Sequence, residues 1–413
     1  MGPLLVSNRC AENAAISEAR RRLVLLSTHP IQYHGHWFRA LAERPEIDLT
    51  VIYCHPSTPA NQARAGFGVE FDWDIPLLDG YRYTFLGTRN ENSRGSGAPS
   101  AQGMEPLLAR EKPDVVMING WHYRAAWQAI FACWRMRIPV MVRGDSQLIS
   151  PRGALKRRLK YPVYRSFIPR FDACLAVGAR SREYYLHYGA RPERVFHVPH
   201  AVQDDLFPRG GEAQARRVAL RQQWKLDYRG TVFLFAGKFI EKKRPMDFLR
   251  AMEIVTKLEP KIAGVMVGDG PLRAACEQFV NERQLPVHFA GFLNQSQMAD
   301  AYVGSDCLVL PSDGRETWGL VVNEAMSCAR PAVVSDAVGC TPDLILDGIT
   351  GAIFPLGDVD ALSRILIALG RSPERLQAMG ERGQERLPGY SRDVALRGTI
   401  EAVEAVMANR RTK

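Results

Sequence analysis

What this 413-residue chain lacks narrows it before any motif is read. It has no run of 18 or more apolar residues, so no segment reads as a membrane span. Leu4-Leu5-Val6 is too short for the apolar region of a signal peptide and runs into polar Ser7-Asn8-Arg9. Residues 1–20 therefore read as a poorly ordered extension. Eight cysteines lie at 10, 54, 133, 174, 276, 307, 328 and 340 without a C-x-x-C pair. That scatter argues against a disulfide framework or a structural zinc site and suits reduced thiols in a cytoplasmic protein. His29, His34 and His36 cluster, but no carboxylate or cysteine falls beside them at ligand spacing, so no metal is expected. Gly268 and Gly270 follow an apolar run, yet the third glycine of a dinucleotide fingerprint is missing and Pro271 takes the first helical position. Hydride transfer with NAD is thus the most distant reading.

Acidic residues are missing where basic ones concentrate. The net charge of +10 lies wholly in residues 1–200, with 27 Lys and Arg against 17 Asp and Glu; residues 201–413 balance, 27 against 27. The stretch from Arg152 to Arg170 carries seven cations and no acid, interleaved with Leu155, Leu159, Tyr161, Val163, Tyr164, Phe167 and Ile168. A solvated helix, attraction to an anionic membrane surface or polyanionic acceptor, and nucleic-acid binding all fit such a run. No DNA- or RNA-recognition motif accompanies it, so nucleic acid is not an expected partner.

The length exceeds the roughly 250–300 residues at which a single core stops growing, so about two domains are expected. Apolar runs at 23–27, 49–53, 115–118, 140–142, 173–177 and 195–198 alternate with helical patterns such as 37–42, 125–134 and 180–188. That alternation implies a mainly parallel sheet with helices on both faces. Residues 81–86 alternate aromatic and polar and read as a further strand, while 57–70 and 89–103 read as loops. A polar stretch at 203–229 reads as an interdomain connection with a short helix. A second set of apolar runs follows at 232–236, 263–267, 287–290, 307–310, 332–334 and 352–354. The fold class is α/β, with two Rossmann-like parallel-sheet domains, 21–202 and 230–390, facing a central cleft. Residues 391–413 form a last helix.

Residues 307–350 are the most informative segment. An apolar run ends in Pro-Ser-Asp-Gly, an amphipathic stretch follows from about 317 to 329, and another apolar run begins at 332. Strand, loop, helix, strand is the reading. Glu316 lies in the loop and Glu324 eight residues on. At 1.5 Å rise per residue they stand roughly 12 Å apart along a helix axis, a separation that suits one elongated ligand gripped at both ends. Two glutamates at this spacing are ordinarily a solvated helix face. Here Trp318-Gly319-Leu320, Asn323-Glu324-Ala325-Met326, Ser335-Asp336 and Gly339 extend the pattern. With them the segment resembles the E-x7-E signature of the retaining glycosyltransferases of family 4, which have the GT-B fold. The resemblance spans roughly residues 23–405 and is most specific over 231–358.

The resemblance implies that Glu316 contacts the donor sugar and that Glu324 accepts hydrogen bonds from the ribose of a nucleotide-sugar, most often UDP-linked. Backbone amides around Glu316, Thr317, Trp318, Gly319 and Leu320 would meet sugar hydroxyls or phosphate. It places Lys238, directly after Gly237, and Lys243 on the diphosphate, where cations before a helix start suit an anion. The family usually has Arg where Lys238 stands, so a bidentate fork is forgone. Lys242 and Arg244 read as surface charge, and Asp336 as an anchor of its own loop. The turn with Gly268 and Gly270 resembles the family's nucleotide-facing turn. The stretch ending in Gly291 and Phe292 resembles the one that holds the base through main chain. The last helix would cross back to the first domain. Asp72-Trp73-Asp74 matches the metal-binding D-x-D of a different class, but it precedes the nucleotide half and reads as chance.

On the acceptor side, a loop with His29, Gln32 and Tyr33 stands where the family usually carries glycines, and Gly35 is its only glycine. His122 follows the 115–118 run and is a candidate to meet donor sugar or acceptor; a packing histidine is the alternative. Asp145 either orients the acceptor hydroxyl or caps a helix. The function so implied is sugar transfer to a glycan or lipid-linked acceptor in polysaccharide, lipopolysaccharide or glycolipid synthesis. The protein would be cytoplasmic, peripheral on the inner membrane. The nucleotide-sugar is a substrate, and no cofactor is implied. A sugar-nucleotide epimerase of the same fold and a catalytically silent nucleotide- or glycan-binding subunit are the competing readings.

Overall fold

The computed structural model describes residues 20–86, 104–149, 153–207, 211–226 and 230–411. The expected extension, Arg20 excepted, and the loop at 89–103 lie outside these residues. Runs of branched and aliphatic side chains form two sheets. The first holds β1 (Arg21–Ser27), β2 (Ile47–Tyr53), β3 (Arg82–Phe85), β4 (Val115–Asn119), β5 (Val140–Gly144), β6 (Ala173–Ala176) and β7 (Val195–His197), in the order β3-β2-β1-β4-β5-β6-β7. The second holds β8 (Val232–Ala236), β9 (Ala263–Val267), β10 (Val287–Gly291), β11 (Cys307–Leu310), β12 (Ala332–Ser335) and β13 (Gly351–Phe354), in the order β10-β9-β8-β11-β12-β13. Every named pair is parallel. Sheets covered on both faces need strands apolar on both faces, which is why the strands read as continuous runs. Val24 and Leu26 pack into one core and Leu23 and Leu25 into another on the opposite face.

Strand order reverses beside β1 in one sheet and beside β8 in the other. Ligands in such sheets lie beyond the carboxyl ends of the strands at that reversal. The loops after β1, β4 and β5 meet those after β8, β9 and β11 across one cleft. The final helix, Arg392–Arg411, returns to the first domain. Ala395, Ala402, Val403 and Val406 recur on one helical face and enter the core with Leu23 and Leu25. A Cβ on Gly398 would stand 2.1 Å from the His197 carbonyl, so only glycine lets this helix lie on β7. The helix Gly211–Gln223 docks on the second domain, where Arg221, 1% exposed, donates to Gly230 O and Gly304 O and pairs with Asp306.

Two local expectations differ from the structure. Residues 57–70 are not loop throughout. Thr58 caps a helical turn, Pro59–Gln62, and a π turn, Ala63–Phe67, continues it to Gly68 at φ 77°. Proline at the first position and a Thr cap start a helix despite the loop-like composition. The helix expected over 317–329 spans only Val321–Ser327. Gly339 N donates to Glu316 O and Cys340 N to Trp318 O, both at 2.9 Å, which ties 316–318 to the neighbouring loop before any helix can begin. Glu324 therefore sits in the first turn, and the axial-rise estimate does not apply to Glu316.

Candidate active site

The second-domain wall begins where β8 ends. Gly237, at φ 153°, and Gly268, at φ 126°, let two loops touch: a Cβ on Gly268 would stand 2.0 Å from Gly237 O. Gly270 packs likewise on the Phe239 backbone and does not line the cleft. Its glycine is explained by loop packing. The chain then turns through Glu241–Lys243 into the helix Pro245–Leu258. Lys243 Nζ stands 2.6 Å from Glu316 Oε2 with both side chains nearly buried, and Lys242 Nζ stands at 3.9 Å. Lys242 thus lines the cleft, contrary to the surface-charge expectation. Burial pushes the Glu316 carboxyl up, but the ammoniums of Lys243 and Lys242 outweigh it and hold the group below the usual range. Burial, then Lys242 and Lys243, pulls Lys238 down to about 8. Three ammoniums around one carboxylate leave excess positive charge at a helix start, where a polyanion is stabilised.

Glu324 has the opposite setting. It is 1% exposed, accepts from Gln295 Nε2 at 3.0 Å and from Tyr302 OH at 2.5 Å, and burial raises its pKa against those two hydrogen bonds. Each oxygen keeps a lone pair for a further donor, and the residue lines the same cleft as Glu316. The loop between them supplies Thr317, Trp318, Gly319 and Leu320 to the lining. The Glu316 amide is already used by Asp313 O at 2.9 Å, so it does not serve as an anion donor. Phe292 lines the cleft and Gly291 does not; Gly291, at φ 74°, instead offers its carbonyl to Gly268 N. Asp336 anchors its loop by accepting from Leu356 N at 3.0 Å.

The first-domain wall is built of rings and amides. His29, Gln32 and Tyr33 line the cleft. His29 stacks on His55 at 5.2 Å, and burial, then His55, lowers it to about 4. Burial and the Glu324 charge raise the Tyr33 hydroxyl well above its usual value. Gly35 lies within the helix Gln32–Ala42, where a Cβ would meet Leu77 O at 2.9 Å, so packing explains it and the cleft does not. His122 is exposed and lines the cleft, which argues against a packing histidine. Trp121 turns into the core. Asp145 caps no helix; its carboxylate accepts from Thr317 Oγ1 at 2.6 Å across the cleft.

Several residues carry no local signal in the sequence. Gln147 Nε2 donates to Gly314 O at 2.8 Å and Glu316 O at 3.4 Å, and its own oxygen accepts from Arg180. Arg180 also donates to Ala337 O and Asp336 O, so two first-domain side chains grip the loops around Glu316. Arg143, 2% exposed, donates to Val198 O, Pro199 O and His200 Nδ1 behind Asn119. Gln295 and Tyr302 reach Glu324 from 29 and 22 residues away, beyond any motif. The cleft encloses about 670 Å³. Among the described residues, no group of three His, Cys, Asp or Glu side chains is placed to hold a metal ion.

Both halves match family models: Glycosyltransferase Family 4 over residues 33–206 and Glycosyl transferases group 1 over 217–386. A D-inositol 3-phosphate glycosyltransferase of Xylanimonas cellulosilytica is 31% identical over 309 residues, covering 71% of this chain and 67% of that one. One of Kribbella flavida is 28% identical over 52% of each chain. The chain spans about half the length of the first curated relatives it matches. In fold it resembles HepE of Anabaena solved with UDP, with a TM-score of 0.72 and 16% identity over 93% of this chain and 100% of that one.

Proposed function

The chain belongs to glycosyltransferase family 4, and from that premise we propose that it transfers a sugar, with retention, from a UDP-linked donor to a glycan or lipid-linked acceptor in cell-surface polysaccharide or glycolipid synthesis. One observation carries the reading: Glu316 and Glu324 line a single cleft whose floor holds Lys238, Lys242 and Lys243. Lys238 and Lys243 face the diphosphate, Glu324 takes the ribose hydroxyls, and Glu316 meets the sugar. As the leaving diphosphate gains charge and the sugar becomes cation-like, the lysines stabilise the first and Glu316 the second. The lysines supply the positive charge, so the reading requires no metal. His122 and Asp145 face the acceptor hydroxyl from the other wall.

The acceptor would be presented at an anionic membrane surface. The helix Ala154–Phe167 exposes Leu159, Tyr161 and Val163 beside Arg158 and Arg165, which supports such docking. No helix among the described residues is long and apolar enough to cross a membrane.

A thermal-shift screen with UDP, GDP, ADP and their sugars, followed by a transfer assay, tests the proposal. A ligand at 100 times its dissociation constant adds about 2.7 kcal/mol of stability. UDP-sugars should shift the melting point, and product should form only with acceptor. Epimerised donor without acceptor would mark an epimerase. Binding with no turnover would mark a silent subunit.

A further inference from the structure

Residues 63–74 belong to the first domain but are moulded onto the second. Asn294 Nδ2 donates to Asp72 O at 2.7 Å, and Asp74 N donates to Asn294 Oδ1 at 3.5 Å. The Asp74 carboxylate accepts from the Ser296 amide at 3.2 and 3.3 Å and from the Ser296 hydroxyl. It thereby caps, from another domain, the helix Gln295–Gly304 whose first residue holds Glu324. Asp72-Trp73-Asp74 is thus an anchor, and the metal-triplet resemblance is accidental. A Cβ on Gly68, at φ 77°, would meet Gly270 N at 3.2 Å, so the segment also lies close on the glycine turn after β9.

Between these anchors the segment carries three rings. Phe71 packs on Phe292 at 4.3 Å, Phe67 on Phe292 at 5.9 Å, and Trp73 on Phe71 and Phe67 at 4.9 and 5.9 Å. Phe67, Trp73 and Phe292 line the cleft, and the Lys238 ammonium lies over the Phe67 ring at 4.0 Å. The rings therefore stand beside Lys238 of the cationic floor and, through Phe292 and the Asp74 cap, next to the helix whose Gln295 holds Glu324. A nucleoside diphosphate with phosphate on the lysines and ribose on Glu324 would share its cleft with Phe67, Trp73 and Phe292.

We propose that Phe67 and Trp73 of the first domain, together with Phe292 of the second, form an aromatic wall for the planar base of the nucleoside diphosphate, held in place by Asp74. The inference rests on the nucleotide-sugar reading above. It makes the donor site a two-domain site. Aromatic faces bind bases through stacking, which is tolerant of base identity.

Titration calorimetry with UDP, GDP, ADP and inorganic pyrophosphate separates the two claims, because pyrophosphate has no base. For the nucleotide that the wild type binds most tightly, the Phe67→Ala/Trp73→Ala variant should lose about tenfold or more in affinity. Its pyrophosphate affinity should stay within about twofold. Phe67→Leu/Trp73→Leu, which keeps apolar volume but removes the planar faces, should lose as much. Asp74→Ala should lose about threefold for the nucleotide. Nucleotide affinity unchanged in both double variants would overturn the wall, and so would equal losses for nucleotide and pyrophosphate, the mark of a merely structural role. A wild type that binds pyrophosphate and none of the three nucleotides would overturn the nucleotide-sugar reading and the wall with it.

Discussion

The two walls of the cleft handle charge in opposite ways. The second-domain wall concentrates it, with Lys238, Lys242 and Lys243 around a Glu316 held ionised and a buried Glu324 four residues into the next turn. The first-domain wall discharges it. Burial first, then Arg143 among other cations, drives His34 and His200 far below the usual imidazole range, and His29 falls to about 4. At neutral pH that wall offers the uncharged rings of His29, His34 and His200, a carboxylate already given to Thr317, and one buried guanidinium, Arg143, held by backbone carbonyls. On the proposed reading the contrast suits a transfer between a charged donor and an uncharged hydroxyl. In that reading fixed charge belongs where the diphosphate would leave. On the other wall the one buried fixed charge, Arg143, is spent on the Val198 and Pro199 carbonyls.

The contrast is broken most severely at its centre. Glu316→Gln should lower kcat about 100- to 1,000-fold while UDP binds as well or better, since three ammoniums lose their counter-charge; steady-state rates with calorimetry read both. A retained kcat would remove Glu316 from the chemistry. Glu324→Ala should weaken UDP binding by about 1–3 kcal/mol, the usual loss for a hydrogen bond to a buried charged group. Gln147→Ala, which removes one of the first-domain grips on the Glu316 loop, should lower kcat about tenfold with donor KM little changed; a purely architectural glutamine would alter the melting point and not that split.

Two pH measurements sharpen the comparison further. Lys238 is depressed by burial and by its lysine neighbours, so its charge is lost as pH rises through about 8. Donor affinity should weaken a few-fold between pH 7 and 9, and Lys238→Arg should flatten the curve. In the first domain the sign reverses. His29 and His36 have folded values near 4 against 6.5 unfolded, so the unfolded chain takes up protons first as pH falls. The stability they represent is complete above 6.5 and lost toward 4. Glu324 and Asp343, both raised, pull the other way. With His34 and His200 added, the histidines should win, and the melting temperature should drop on the order of 5 °C from pH 7 to 5.

How much of this was legible in the sequence follows from the range of each signal. Twelve of the thirteen strands among the described residues show as apolar runs, because burial on both faces removes most polar interruptions, while the edge strand Arg82–Phe85 shows only as an alternation of aromatic and polar residues. The glutamate pair and the lysines after β8 show because they sit at fixed offsets within one strand-loop-helix unit. Gln295, Tyr302, Gln147 and Arg180 do not, since each acts on a residue 22 to 169 positions away. Tertiary contacts, and not propensity, also delayed the helix before Glu324 to Val321. Gly35, Gly270 and Gly291 were readable as special backbone positions. That Gly35 and Gly270 serve packing of chain on chain, and Gly291 a left-handed turn, needed the coordinates.

The central claim is that both glutamates grip one nucleotide-sugar from a single wall. A crystal structure of the protein grown with UDP tests it most directly. The ribose hydroxyls should lie within hydrogen-bond distance of the Glu324 carboxylate, with the diphosphate against Lys238 and Lys243. UDP bound outside the cleft, or a ribose turned away from Glu324, would contradict the account.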